Sequence, residues 1–175
     1  MNNSILKILK IRDVKTPRRW TEDSSWIDFF VPKWLFQVKE TPLEENPWWS
    51  SMCTLDEKNK CFHIQPWRWI LIPSWIKTII KKWYDLSFEN KSWVSIKKWF
   101  EAWANVIDSD YRWEIHLHVI NISDKVKTIK EWEKIIQAIL RPVILEKPDE
   151  ITEEEFNKFS DTERGEWGFW STWNK

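Results

Sequence analysis

Near the middle of the chain an acid-rich turn sits between two apolar runs, Asn105-Val-Ile-Asp-Ser-Asp-Tyr-Arg-Trp-Glu114 leading into Ile115. Val106 and Ile107 run straight into Asp108, and Asp110 and Tyr111 follow. Ile115, Leu117 and Val119 then alternate with His116 and His118. Successive side chains on a strand point to opposite faces, so this stretch has one apolar face and one polar face. It reads as strand, tight turn, strand, with a carboxylate and a phenol at the turn. An ordinary hairpin with solvated acids fits the pattern equally well, because turns favour Asp.

Other turns carry an unusual residue. The chain has 17 Trp and only 2 Gly among 175 residues. Glycine averages about 7% of globular chains, so about twelve are expected and roughly ten are missing. Asn46-Pro-Trp-Trp49, Pro73-Ser-Trp75 and Lys82-Trp-Tyr84 read as turns, where Gly supplies positive φ without steric cost. Glu166-Trp-Gly-Phe-Trp-Ser-Thr-Trp173 reads as a glycine-rich loop with alternate glycines overwritten. These placements predict that most or all Trp positions are Gly in the biological protein. A UGA codon translated as Trp, in an organism that reads it as Gly, would produce this pattern. A truly Trp-rich chain is the alternative, and it would expose large aromatics in its turns, an aggregation liability.

Length and charge bound the function. A chain of 175 residues suits one domain. Lys plus Arg and Asp plus Glu both number 27, so no net field favours nucleic acid or an anionic membrane. No apolar run reaches the roughly 18 residues of a membrane span, and no signal-peptide pattern is seen. Cys53 and Cys61 do not make a disulfide framework. A soluble cytoplasmic protein with reduced thiols is the expectation.

In chain order, residues 5–11 are apolar with interspersed lysines, and periodicity leaves helix and strand open. Residues 17–20 read as a turn. Ile27, Phe29 and Val31 suggest a strand with Asp28 on its other face. Residues 33–66 form a long polar stretch containing Cys53, Cys61 and His63. A closed metal site needs four ligands and only three candidates appear, so an ordinary loop with a hairpin is expected there. Residues 70–72, 75–80 and 84–88 read as three strands with a turn at 81–83. Asn90-Lys-Ser-Trp93 follows, where a hydroxyl, a cation and a presumed glycine make a phosphate contact as readily as an exposed turn. Residues 94–104 lead into the central hairpin. Further strands fall in 115–121 and 126–145, and the Lys-rich residues 125–134 read as a solvated face. Gln137 lies in an apolar strand and needs a hydrogen-bond partner. Thr152-Glu-Glu-Glu155 is a capping-box pattern predicting a short helix over about 153–159. The acidic residues 146–163 otherwise read as a tether. Many short strands and almost no helix argue an all-β sandwich or barrel.

Five stretches, in order, resemble the trimeric dUTP pyrophosphatase (dUTPase) family. They are Thr21-Glu-Asp-Ser-Ser-Trp-Ile-Asp28, Asn90-Lys-Ser-Trp93, Asn105-Val-Ile-Asp-Ser-Asp-Tyr-Arg-Trp-Glu114, Trp132-Glu-Lys-Ile-Ile-Gln137 and Thr162-Glu-Arg-Gly-Glu-Trp-Gly-Phe-Trp-Ser-Thr-Trp173. Each has Trp where the family has Gly. The resemblance implies that residues 5–11 form a first strand. It implies a jelly-roll-like β-barrel over residues 1–145, assembled as a homotrimer. It also implies that residues 146–175 are a tether and a C-terminal arm closing a neighbouring active site.

The implied reaction is hydrolysis of dUTP to dUMP and pyrophosphate, which keeps uracil out of DNA and supplies dUMP for thymidylate synthesis. Asp108 would be the general base that polarises the attacking water. Backbone around Asn105, Val106 and Ile107 would read the uracil edge, and Tyr111 would pack on the deoxyribose. Lys91, Ser92, the presumed glycine at Trp93 and Gln137 would hold phosphates. From the arm, Arg164 would clamp the terminal phosphate, Phe169 would stack on uracil, and Ser171 and Thr172 would cradle the chain. Mg²⁺ would bind mainly phosphates and waters, with Asp28 near it through water. The sequence departs from the family pattern at Lys91, often Arg, and at Asn105, often small.

Other readings stay in view. A dCTP deaminase of the same fold would have Asp-Pro-Gly in the turn and a Glu where His118 stands, and it lacks the arm motif. A non-catalytic nucleotide-binding or regulatory trimer would not need Asp108, Tyr111, Arg164 and Phe169 together. A trimer axis could gather His116 and His118 from three chains into a metal site; a satisfied or solvated pair is the plainer reading.

Overall fold

The computed structural model describes residues 4–33, 53–159 and 162. Its strands, in chain order, are β1 (Leu6–Lys10), β2 (Arg18–Arg19), β3 (Ile27–Phe29), β4 (Cys53–Asp56), β5 (Cys61–Ile64), β6 (Trp69–Pro73) and β7 (Ile76–Ile80). They continue with β8 (Tyr84–Asn90), β9 (Phe100–Ala102), β10 (Val106–Ile107), β11 (His116–Asn121), β12 (Lys127–Lys130) and β13 (Ile136–Pro142). The fold is all-β. Four antiparallel sheets run β1-β7, β10-β8-β13-β3-β2, β6-β11-β9 and β12-β5-β4.

The alternation seen in the sequence is the alternation of burial. Ile115, Leu117 and Val119 are fully buried, while His116 and His118 are half-buried on the other face. They join Ile72 from β6, Leu86 and Phe88 from β8, Phe100 from β9, Ile129 from β12 and Ile136 from β13 in one core. Burying one such side chain stabilises the fold by roughly 1.5–3 kcal/mol. The residue 5–11 segment is β1, as the resemblance implied. The three strands expected over 70–88 are β6, β7 and β8.

Four expectations change. The central segment is not a hairpin: β10 pairs with β8, whereas β11 pairs with β6 and β9. Ser74 N–H donates to Ile115 O at 3.0 Å and Ile115 N–H to Ile76 O at 2.9 Å, so the chain after the turn is drawn to a different sheet. Arg18 and Arg19, expected in a turn, pair with Asp28 and Ile27. Residues 94–104 hold a π-helical turn, Val94–Lys98, before β9. Residues 125–134 are more than a solvated face, because Ile129 is fully buried and Lys134 Nζ lies 3.0 Å from buried Asp28.

The seven described non-glycine residues with positive φ are Lys60, Trp67, Trp75, Trp83, Trp99, Ala104 and Trp132. Five are Trp, with φ from 59° to 74°. This region is uncommon for any residue with a Cβ and strained for a bulky one. Trp83 occupies the turn between β7 and β8, and Trp99 ends the π-helical turn with its N–H on Ser95 O at 3.1 Å. Trp20, Trp26, Trp67, Trp83, Trp93, Trp99, Trp103 and Trp113 are exposed.

The loop after β11 is fixed by one buried amide. Asn121 Nδ2 donates to Ile64 O, Gln65 O and Lys125 O at 3.0, 3.1 and 2.8 Å. Its Oδ1 accepts from Ser123 N and Oγ at 3.0 and 2.8 Å. Asn121→Ala leaves these buried carbonyls short of donors, so it is expected to lower stability by about 2–3 kcal/mol. Urea denaturation of the variant against its parent measures this.

The chain divides into two units, Met1–Ile144 and Leu145–Lys175. In the second, α1 (Glu153–Asn157) begins with the expected capping box: Thr152 Oγ1 accepts from Glu155 N, and Glu155 Oε2 accepts from Thr152 N. Among the described residues no helix is long and apolar enough to cross a membrane.

Candidate active site

The turn after β10 is closed by its own backbone, with Tyr111 N–H donating to Asp108 O at 3.1 Å. This leaves the Asp108 side chain exposed at the mouth of the turn. Tyr111 is held from three sides. Its hydroxyl donates to Glu114 O at 2.9 Å, its ring meets Trp113 edge-on at 5.6 Å, and its body packs on the core. Burial, and secondarily the Glu114 charge, raises its phenol pKa, so it stays neutral and offers a flat, fixed surface. Val106 is exposed and Ile107 buried. Asn105 O accepts from Phe88 N at 2.6 Å, and Asn105 Oδ1 is buried with no hydrogen-bond partner among the described residues.

A second cluster forms where β3, β8 and β13 meet. Asp28 lies opposite Gln137 in the β3–β13 ladder, and Ile136 lies opposite Asn90 in the β13–β8 ladder. Asp28 is not solvated. It is 4% exposed, and its two oxygens take Lys91 Nζ at 2.6 Å and Lys134 Nζ at 3.0 Å. Two ammonium groups on one carboxylate leave a local excess of one positive charge, suited to a polyanion. Gln137 finds its partner in Asn90 O, to which Nε2 donates at 2.9 Å. Ser92 and Trp93 are exposed beside Lys91. The sequence reading overlooked Lys134; its one signal was its place three residues before Gln137.

The two clusters lie at opposite ends of β8. Val106 faces Ser87 and Ile107 faces Leu86, so Asp108 leaves the sheet at the Asp85 end. Lys91 leaves at the Asn90 end. The six residue steps from Asp85 to Lys91 span about 20 Å of strand. Within one chain the presumed base and the presumed phosphate-binding cluster therefore sit far apart. Arg164, Phe169, Ser171 and Thr172 lie outside the described residues.

The dUTPase family pattern matches residues 94–173. The deoxyuridine 5′-triphosphate nucleotidohydrolase of Fusobacterium nucleatum is 33% identical over 105 residues, covering 59% of this chain and 68% of that protein. The enzyme of the same name from Hydrogenobaculum is 31% identical over 111 residues, covering 62% of this chain and 74% of that protein. A shorter match, 47% over 66 residues with the Nautilia profundicola enzyme, spans 38% of this chain and 43% of that protein. In fold, the dUTPase of Staphylococcus bacteriophage 80alpha with dUpNHpp superposes with a TM-score of 0.68 at 17% identity, over 96% of this chain and 97% of that one. The chain therefore belongs to the dUTPase family.

Proposed function

We propose that this chain is a dUTP diphosphatase that acts as a cytoplasmic homotrimer, hydrolysing dUTP to dUMP and pyrophosphate. Family membership supports the reaction, and the observation that carries the site is the Asp108–Tyr111 turn. It presents an exposed carboxylate beside a rigid phenol. In the proposed step Asp108 takes a proton from water while the water oxygen bonds to the α-phosphorus. The bond from that phosphorus to the bridging oxygen of the leaving pyrophosphate breaks, and the pair on that bond leaves with pyrophosphate. Tyr111 packs on the deoxyribose and leaves no room for a 2′-hydroxyl. The backbone around Asn105, Val106 and Ile107 reads the base edge.

The described residues do not fit a directly held Mg²⁺, because both Asp28 oxygens are taken by lysines. They fit the triphosphate. Mg²⁺ would come with the phosphates, whose charge it would neutralise, and Asp28 would reach it only through water. Lys91, Ser92, the Trp93 position and Gln137 hold the phosphates, with Lys134 as a further cation. Arg164, Phe169, Ser171 and Thr172 of the arm close over the substrate, with residues 1–145 as barrel and 146–175 as tether and arm. Gly at the Trp positions belongs to the same reading, supported by the five Trp residues at positive φ.

The separation of about 20 Å along β8 favours a site shared between subunits, with Asp108 and Tyr111 from one and the Lys91 cluster from another. Mixed trimers test this. An Asp108→Asn chain and a Lys91→Ala/Gln137→Ala chain are each expected to be inactive alone. Unfolded and reassembled together, they should regain activity, with roughly a quarter of the sites intact by chance pairing across the heterologous interfaces. If both groups serve from the same chain, the mixture has no intact site and pyrophosphate release stays at background. Comparing dUTP with UTP and dCTP checks the substrate: turnover of UTP or dCTP at the dUTP rate would remove the roles given to Tyr111 and Asn105.

A further inference from the structure

We propose that the β4–β5 hairpin is a binding site for a transition-metal cation of the zinc class, built from Asp56, Cys61 and His63 and separate from the nucleotide site. The register makes the site. Asp56 stands directly opposite Cys61 and Thr54 opposite His63, so Asp56, Cys61 and His63 share one face of the hairpin. Their ligand atoms all lie within 4.8 Å of one another. Cys61 Sγ to His63 Nε2 is 3.6 Å, and His63 Nε2 to Asp56 Oδ2 is 3.4 Å. A tetrahedral Zn²⁺ with Zn–S about 2.3 Å and Zn–N and Zn–O about 2.0–2.1 Å requires S···N about 3.6 Å and N···O about 3.3 Å. Two edges of the tetrahedron are thus already set. The Asp56–Cys61 edge closes by rotation of the partly exposed carboxylate.

The surroundings support the ligands. Asn59 donates its N–H to Asp56 Oδ1 at 2.9 Å and its Nδ2 to Oδ2 at 2.7 Å, which keeps the carboxylate on this face and leaves it lone pairs. On the neighbouring β12, Thr128 lies opposite His63, with its Oγ1 3.5 Å from His63 Nδ1. A partner on the second ring nitrogen sets the imidazole orientation and tautomer, as outer-shell groups do in metal sites. Three protein ligands, with His63 and Asp56 partly exposed, leave a fourth position open to water. The thiolate and imidazole select a borderline-soft cation over Mg²⁺. No Trp falls within 53–64, so the site does not depend on how the Trp positions are decoded. Asp56 joins the set through cross-strand register, not through a Cys/His spacing, so it is not legible as a ligand in the sequence.

The test is titration of the metal-free full chain with Co²⁺, followed by displacement with Zn²⁺. The expected result is one Co²⁺ per chain with a thiolate-to-cobalt charge-transfer band, removed by one equivalent of Zn²⁺. Cys61→Ser and His63→Ala should each abolish the band, and Cys53→Ser should keep it. Asp56→Asn should weaken Co²⁺ binding by at least roughly tenfold, since even outer-shell losses cost that much. Its Mg²⁺-dependent dUTP hydrolysis should be unchanged. If Cys61→Ser fails to fold, His63→Ala and Asp56→Asn decide the matter, with circular dichroism confirming their folds. Absence of the band in the parent, its survival in His63→Ala, or its loss on replacing His116 and His118 instead would overturn the proposal.

Discussion

Replacing all 17 tryptophans by glycine is expected to turn an insoluble or inactive chain into a soluble trimer that releases pyrophosphate from dUTP. The argument is local. Trp67, Trp75, Trp83, Trp99 and Trp132 sit at φ between 59° and 74°, where a Cβ is strained. Each such residue costs about 1–3 kcal/mol. Five together approach the roughly 5–15 kcal/mol by which a domain is stable at all. Glycine adopts the same angles freely. Eight described tryptophans are also exposed, which adds apolar surface for self-association. If the arm closes over phosphate as proposed, Trp167, Trp170 and Trp173 would put indoles where glycine would let the backbone come close. Both forms should be expressed, sized by light scattering and assayed with dUTP. A folded, active trimer from the Trp form would remove the physical basis for reading these positions as glycine. UGG codons at those positions in the gene would do the same from the DNA.

Asp108→Asn, made in the soluble form, is expected to lower kcat by two orders of magnitude or more, the usual loss for a positioned general base. The amide is nearly isosteric with the carboxylate but cannot accept the proton from water. Asp108 is exposed and contributes its backbone carbonyl to the Tyr111 turn, which the substitution keeps. Stability, trimer formation and binding of a non-hydrolysable dUTP analogue should therefore stay within a few fold of the parent. Near-parental turnover would take Asp108 out of the reaction. Loss of analogue binding along with activity would make it a binding residue.

The sequence by itself determined the class of fold. Period-two burial at Ile115, Leu117 and Val119 needs only the pleat of a strand, and it is visible without coordinates. The Thr152–Glu155 cap is equally local, because its donors and acceptors lie three residues apart. The Trp residues in turns were legible for the same reason, since φ at a turn depends on the residue and its neighbours.

What only the tertiary structure decided is long-range pairing. Nothing in the sequence distinguishes a hairpin at 106–119 from two strands in different sheets. Ser74 and Ile76 settle it through hydrogen bonds to Ile115 across about forty residues. Asp28 was expected near a phosphate-bound metal through water; Lys91 and Lys134 reach it from distant elements and make it the buried centre of a cationic cluster. Asp56 looked like one acid among many, until strand register set it opposite Cys61 and beside His63. The opposed ends of β8 have the same origin. Alternation in a sequence reports which face of a strand is buried, and it carries no information about which strand lies alongside or which residue stands across the ladder.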